Sequence, residues 1–147
     1  MGRKYLTVLS TALIIVFIDQ IAKFLIKTNF QLNQTLPIIN NIFHLTYIHN
    51  FGAGFGILQQ QRWILAFISI IVIGFIFYYL DRIREKERLL QLLAGFVLGG
   101  TIGNLTDRII NGYVIDFLDF RIWPVFNIAD SFVTIGVIGL IIYYWKK

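Results

Sequence analysis

Residues 63–80, WILAFISIIVIGFIFYYL, contain no charged side chain. A helix of this length rises about 27 Å, close to the thickness of the hydrocarbon core of a bilayer. The charged run DRIREKER follows immediately, at residues 81–88. This junction predicts a transmembrane helix that ends in an aqueous loop.

Three further apolar segments flank this one along the chain of 147 residues. The composition, 57% hydrophobic and 14% charged, excludes a water-soluble globule, which has about 25% charged residues. We therefore expect one all-α membrane domain, residues 1–147, with four transmembrane helices. The expected helices cover about 5–26, 63–80, 89–105 and 125–145.

Two segments between the helices are rich in β-branched and aromatic residues and are predicted to be strands. They are residues 43–48, FHLTYI, and residues 113–117, YVIDF. The long connecting segments that contain them, about 27–62 and 108–124, lie on the same side of the membrane. The sequence thus predicts a small β-element on that surface.

Positive charges at the helix ends predict the orientation, because cytoplasmic loops retain Lys and Arg. The basic residues near the helix ends on one side are Arg3, Lys4, Arg82, Arg84, Lys86, Arg88, Lys146 and Lys147. Those on the other side are Lys27, Arg62, Arg108 and Arg121. Both termini are therefore predicted to be cytoplasmic and the β-element extracytoplasmic. This distribution accounts for the net charge of +5, and without an aromatic-interleaved basic patch we expect no nucleic-acid partner.

Acidic residues are distributed the other way, with five aspartates toward the outer face. These are Asp19, Asp107, Asp116, Asp119 and Asp130. Placing an ionisable group beside or within a membrane helix costs roughly a few kcal/mol, so such a cluster indicates a functional site. We expect that site near the extracytoplasmic surface.

Asp116 and Asp130 are the leading candidate pair, the first in a predicted strand and the second near the start of the fourth helix. Two carboxylates that converge in a low dielectric divide into an acid and a base, as peptide hydrolysis requires. From spacing alone, a helix cap at Asp130 and a solvated loop residue at Asp116 are slightly favoured. Asp119 competes with Asp116, since residues three apart on a strand face opposite sides.

The other polar residues have structural interpretations as well. Asp107 is expected either to form a local interfacial ion pair with its neighbour Arg108 or to act as a structural anchor. Asp19 and Lys23, four apart on the first helix, are predicted to form a structural ion pair. Asn104 and Asn127, at the outer helix ends, fit substrate binding and helix-end capping equally. His44 and His49 project to opposite faces of a strand and lack further ligands, so no metal is expected.

Glycines occur in two patterns. Gly95, Gly99 and Gly103 line one face of the third helix at a spacing of four, which predicts close helix packing. Residues 50–56, NFGAGFG, do not follow the dinucleotide-binding spacing, and their glycines are expected to let backbone approach a ligand or lie flat at the membrane surface. Gly52 belongs to this segment.

Five short patches, in order along nearly the whole chain, resemble the lipoprotein signal peptidase family, also called signal peptidase II. They are DQIAK (19–23), NFGAGF (50–55), GNLTDR (103–108), VIDF (114–117) and FNIADS (126–131). Two departures, Gly54 and Thr101 where the family commonly has Ala, exchange small residues for small ones.

The resemblance implies a bacterial inner-membrane aspartyl endopeptidase with Asp116 and Asp130 as its catalytic dyad. It implies cleavage of prolipoproteins just before a diacylglyceryl-modified cysteine, without cofactor or metal. Further implied roles are substrate positioning or dyad support by Asn50, Gly52, Asn104, Arg108 and Asn127, and a structural role for Asp19 with Lys23. Membrane phospholipid is the expected surrounding, and a monomer the expected functional state.

Two alternatives come from other functional classes. A small transporter would need ionisable groups along a transmembrane path, but the second and third helices have no acids in their apolar interiors. A non-catalytic assembly factor would use the glycine face to bind partner helices, and it leaves the aspartate cluster unexplained.

Overall fold

The computed structural model describes residues 2–54 and 57–146, so Phe55, Gly56 and Lys147, mentioned above, lie outside the described residues. Its four helices are α1 (Arg3–Asn29), α2 (Arg62–Leu80), α3 (Arg88–Ile110) and α4 (Ile128–Trp145). Each of the four is long and apolar enough to cross a membrane. The predicted architecture of four transmembrane helices with a small β-element is confirmed.

The β-element is a three-stranded antiparallel sheet in the order β1 (Thr35–Ile39), β2 (Phe43–Asn50) and β3 (Val114–Asp119). Strands β2 and β3 correspond to the two predicted strands. The sequence did not indicate β1, because Pro37 lacks a backbone N–H and argues against a strand. Pro37 is tolerated because β1 lies at the sheet edge.

Helix α3 is the most buried helix and packs against the other three. Its glycine face contacts α1, as the spacing predicted. A Cβ at Gly95 would lie 2.7 Å from Thr11, and one at Gly99 would lie 2.8 Å from the backbone oxygen of Ala12. The absence of side chains here lets the two helices approach closely.

Several helix bounds differ from those expected; α1, for example, continues three residues further, to Asn29. Two of the differences affect the site. Helix α3 continues to Ile110, five residues past the expected end, so Arg108 is helical rather than part of the loop. The polar residues there stay helical because Asp107 is buried against a cation of α1. Helix α4 begins at Ile128, three residues later than expected, because Asn127 caps it.

Large apolar side chains cover the outside of the bundle. Leu13 is 70% exposed, Phe17 65% and Phe67 63%. In water this surface would be costly, and a bilayer solvates it directly. The buried polar residues are concentrated instead where α1, α3 and α4 meet the sheet.

Candidate active site

Asp116 lies in the middle of β3 with its side chain fully buried. The register pairs it with Ile48 of the neighbouring strand. Its two carboxylate oxygens each accept an amide hydrogen bond, Oδ2 from Asn50 Nδ2 at 2.9 Å and Oδ1 from Asn127 Nδ2 at 2.6 Å. The strand therefore presents one carboxylate held from two sides by neutral donors.

Asp130 lies in the first turn of α4, where it takes part in a capping box with Asn127. The backbone N–H of Asp130 donates to Asn127 Oδ1 at 2.8 Å, and Asp130 Oδ2 accepts from the Asn127 N–H at 3.4 Å. Its other oxygen accepts from Asn104 Nδ2 at 2.7 Å. The capping interpretation of Asp130 is thus correct, and capping leaves this carboxylate in the pocket described next.

Asp116 and Asp130, hereafter the aspartate pair, line one pocket of about 240 Å³. The rest of its wall comes from the end of β2 and the segment after it, from α3, from the start of β3, and from the loop and first turns around the start of α4. These residues are Asn50, Ala53, Gly54, Arg108, Val114, Trp123, Pro124, Val125, Phe126, Val133 and Thr134. A largely apolar pocket with two convergent carboxylates has the composition of a binding or catalytic site.

The surroundings of Asp116 favour its neutral form. Burial raises its pKa from 3.8 to about 7, and the charge of Asp130 acts in the same direction. The hydrogen bonds from Asn50 and Asn127 and the charge of Lys23 act against this and are outweighed. A carboxyl group that titrates near neutrality can hold or release a proton during a reaction.

Asp119, the competitor of Asp116, is engaged elsewhere at the end of β3. It accepts from Thr46 Oγ1 at 2.7 Å, and Arg121 donates to it through backbone N–H and guanidinium at 2.8 and 3.0 Å. Burial opposes its ionisation, but these hydrogen bonds hold the pKa of Asp119 below its usual value. The structure therefore brings Asp116, and not Asp119, to Asp130.

The predicted ion pair of α1 is confirmed, and it has a third member. Lys23 Nζ lies 2.8 Å from Asp19 Oδ2 and 2.9 Å from Asp107 Oδ2, with all three side chains at most 2% exposed. Asp19 also accepts from the backbone N–H of Ala129 at 2.9 Å. The cluster thereby joins α1, α3 and the start of α4.

Arg108 does not pair with its neighbour Asp107, one of the two arrangements that the sequence suggested for Asp107. Its guanidinium donates to the carbonyl oxygens of Asn104 and Gly52, at 3.4 and 3.3 Å. Gly52 is itself held by its N–H, which donates to Asn50 Oδ1 at 2.9 Å. The glycine-rich segment therefore reaches the pocket through Arg108 and Asn50.

The two histidines lie apart from the pocket chemistry. His49 stacks on Tyr113, with ring centroids 3.6 Å apart, and one of its ring nitrogens is 2.9 Å from the Tyr47 hydroxyl. Burial lowers the pKa of His49. Within residues 2–54 and 57–146 no three His, Asp or Glu side chains are placed to hold a metal ion.

Two residues of the pocket and one residue of the neighbouring ion cluster were missed from the sequence. Gln20 donates to both Asp19 and Asp107, at 3.2 and 3.1 Å, and its position next to Asp19 gave no sign of this. Val133 and Thr134 line the pocket, and their spacing of three and four from Asp130 on a helix was the signal that identifies that face.

Comparison with known proteins agrees with this geometry. The sequence model of the family described as signal peptidase (SPase) II matches residues 11–146. The chain belongs to the signal peptidase II family. It is therefore a multi-pass bacterial membrane protein and an aspartic peptidase, and the resemblance stated from the sequence is confirmed.

Relatives match over nearly the whole chain. A lipoprotein signal peptidase from Halothermothrix orenii is 46% identical over 135 residues, 92% of each chain, and one from Moorella thermoacetica is 46% identical over 88% of this chain and 86% of its own. A bacterial membrane enzyme structure obtained by the in meso method at 1.9 Å resolution superposes with a TM-score of 0.87. It is 32% identical and covers 96% of this chain and 94% of its own.

Proposed function

We propose that this protein removes the signal peptide from bacterial prolipoproteins, cleaving just before a cysteine that carries a diacylglyceryl group. The observation that carries this proposal is the aspartate pair. Two buried carboxylates, from β3 and from α4, line one pocket, and each is held by side-chain amides. Membership of the signal peptidase II family supplies the substrate class.

In the proposed reaction the pair holds one proton. The ionised carboxylate takes a proton from a water molecule, whose oxygen attacks the carbonyl carbon of the scissile bond. The protonated carboxyl donates a hydrogen bond to the carbonyl oxygen and so stabilises the developing negative charge. When the C–N bond breaks, a proton passes to the leaving amine of the cysteine. We assign the shared proton to the pair rather than to either residue.

The predicted supporting residues divide into three groups. Asn50, Asn104 and Asn127 donate amide hydrogens to the aspartate pair and support its geometry. Arg108 lines the pocket, where its guanidinium is held by the backbone carbonyl of Gly52, and it can present further donors to a substrate, since an arginine has five. The ion pair of Asp19 and Lys23 has a structural role next to the site.

The setting of the reaction is part of the proposal. The whole chain forms one membrane domain that works as a monomer among phospholipids, with both termini in the cytoplasm and the pocket at the extracytoplasmic face. The excess of Lys and Arg at the termini and in the loop of residues 81–88 supports this orientation.

The activity is tested with purified protein and one prolipoprotein in two forms, with and without the diacylglyceryl group. We expect a shift in gel mobility, from loss of the signal peptide, only for the lipidated form. Asp116→Asn protein is the negative control for contaminating peptidases. Equal cleavage of both forms would refute the lipid requirement, and no cleavage of either would refute the activity.

The orientation is tested by cysteine labelling, which is clean because the chain has no native cysteine. We expect Gln31→Cys and Gln60→Cys, both at exposed positions, to react with a membrane-impermeant thiol reagent in intact cells. Lys86→Cys, also exposed, should react only after permeabilisation. The reverse pattern would put the pocket in the cytoplasm and refute the proposed function.

A further inference from the structure

Asn104 connects the buried ion cluster of α1 to the aspartate pair. Its Oδ1 accepts from Lys23 Nζ at 3.0 Å and from Asn127 Nδ2 at 3.1 Å. Its Nδ2 donates to Asp130 Oδ1 at 2.7 Å. A path of hydrogen bonds therefore runs from the ammonium group through the Asn104 amide to Asp130. A second branch passes from Asn104 through the Asn127 amide to Asp116.

The direction of the Asn104 amide depends on Lys23. An ammonium group only donates, so an amide beside it must turn its oxygen toward it. A reversed amide would set its NH2 group against Lys23 and Asn127 and its oxygen against the Asp130 carboxylate. Lys23 is 2% exposed and Asn104 is 7% exposed, and in such a low-dielectric place an opposed pair of donors is costly.

Beyond the structural role proposed above, we infer that Lys23 is a positioning residue of the reaction: its contact with Asn104 orients the amides that hold Asp130 and Asp116. The inference deepens the proposed function and rests on it. Lys23 has no contact with the pocket itself and acts through Asn104. Its loss should therefore reduce turnover more strongly than substrate binding.

The charge of Lys23 also affects the protonation of the pair. The charged groups around Asp116 come from three helices: Lys23 and Asp19 on α1, Arg108 and Asp107 on α3, and Asp130 on α4. The positive charge of Lys23 favours the ionised form of Asp116. Without that charge, the carboxylate that acts as base would be protonated up to a higher pH.

Lys23→Met tests the inference, with Gln20→Met as its matched control. Each change removes a long polar side chain with three contacts in the same cluster. Gln20 donates to Asp19, to the carbonyl of Gly103 and to Asp107, but it does not contact Asn104. If Lys23 had a purely structural role, the two variants would therefore have similar kcat values and pH profiles once rates are corrected for the folded fraction.

We expect Lys23→Met to lower kcat roughly 10- to 100-fold with little change in KM, since loss of orientation at the reacting groups has effects of this size. The acidic limb of its pH profile should move to higher pH. Gln20→Met should keep kcat within about threefold and leave the pH profile unchanged. Equal kcat values and unmoved pH profiles in the two variants would overturn the inference.

Two further measurements address folding and the route of the effect. Lys23→Met leaves two buried carboxylates, Asp19 and Asp107, without their cation. Lys23→Met combined with Asp107→Asn restores the net charge of the cluster and should show the same loss of kcat. In an Asn104→Ala background, Lys23→Met should cost less than about threefold further, because its route is already removed. Additive losses would overturn the inference. If the wild-type protein cleaves no prolipoprotein, the proposed function fails first and the inference falls with it.

Discussion

The change of Asp116 to Asn should abolish cleavage while making the protein more stable in alkaline solution. The substitution preserves the side-chain volume and removes the ionisable group. General acid–base catalysis contributes a factor of roughly 10² to 10⁴, so turnover should fall at least that far. The effect on stability has a definite sign, which follows from the pKa of Asp116.

Between pH 3.8 and about 7 the folded protein keeps a proton on Asp116 that the unfolded chain has released. Stability therefore decreases as pH rises through this window, and the full cost is present above about pH 7. A tenfold change in proton affinity corresponds to about 1.4 kcal/mol, so the cost is about 4 kcal/mol at most. An asparagine does not ionise and escapes it.

The substitution also has an unfavourable part. The new asparagine side chain would carry one oxygen, so the amide of Asn50 or Asn127 would face an NH2 group, which costs about 1–3 kcal/mol. The variant should therefore be about 1–3 kcal/mol more stable than wild type at pH 8 and less stable by a similar amount at pH 4. At about 2–4 °C per kcal/mol, the difference is several degrees in the thermal midpoint.

Thermal unfolding in detergent at pH 4 and pH 8 measures both signs, and the lipidated prolipoprotein measures activity. Asp119→Asn on the same strand is the control. It loses hydrogen bonds to Thr46 and Arg121 that favour its ionised form, so it should be less stable at pH 8 and still cleave substrate within about threefold of wild type. An Asp116→Asn protein that is less stable at both pH values, or that still cleaves, would refute the reasoning.

Three other outcomes are expected. Arg108→Ala should lower kcat/KM roughly 10- to 100-fold, because charged hydrogen bonds are lost, and Arg108→Lys should not restore it. Arg121 is half-exposed, so Arg121→Ala should change kcat/KM little. Equal effects of the two alanine changes would remove Arg108 from the site. Gly100→Ala should reduce cleavage and lower the stability measured by thermal unfolding by about 1–3 kcal/mol, because the new Cβ would clash with the Ala129 carbonyl oxygen. At the control position Gly74 a new Cβ would meet no atom within 4 Å, so Gly74→Ala should be neutral or slightly stabilising. The wild-type cleavage rate should fall as pH rises above about 7, where the pair loses its proton, and a rate that stays constant to about pH 10 would contradict this.

The fold was predictable because each transmembrane helix is indicated by its own local sequence. An uncharged apolar run as long as residues 63–80 is stable as an exposed helix only in lipid. The glycine spacing on α3 indicates a packing face even when the partner helix is not known. The ends of α3 and α4 were less predictable. Local polarity suggested that α3 stops near Leu105, but a tertiary contact with Lys23 keeps Asp107 in the helix.

The site was predictable in composition and only partly in geometry. The excess of aspartates at one membrane face pointed to the correct region. Spacing could not choose between Asp116 and Asp119, because strand alternation separates them without saying which faces α4. That choice is made by tertiary contacts with Asn50 and Asn127, distant in sequence from Asp116, and the roles of these residues in catalysis remain predictions.

The chemistry of the supports explains how a buried pair can keep a proton near neutral pH. A cation in direct contact with either carboxylate would lower its pKa and drive the pair toward full ionisation. The contacts that hold the pair come instead from neutral amides, which fix geometry without adding charge. The two nearby cations are turned toward other oxygens, Lys23 toward Asn104 Oδ1 and Arg108 toward backbone carbonyls. Positive charge is thereby kept one group away from the pair, close enough to orient it and too far to remove its proton.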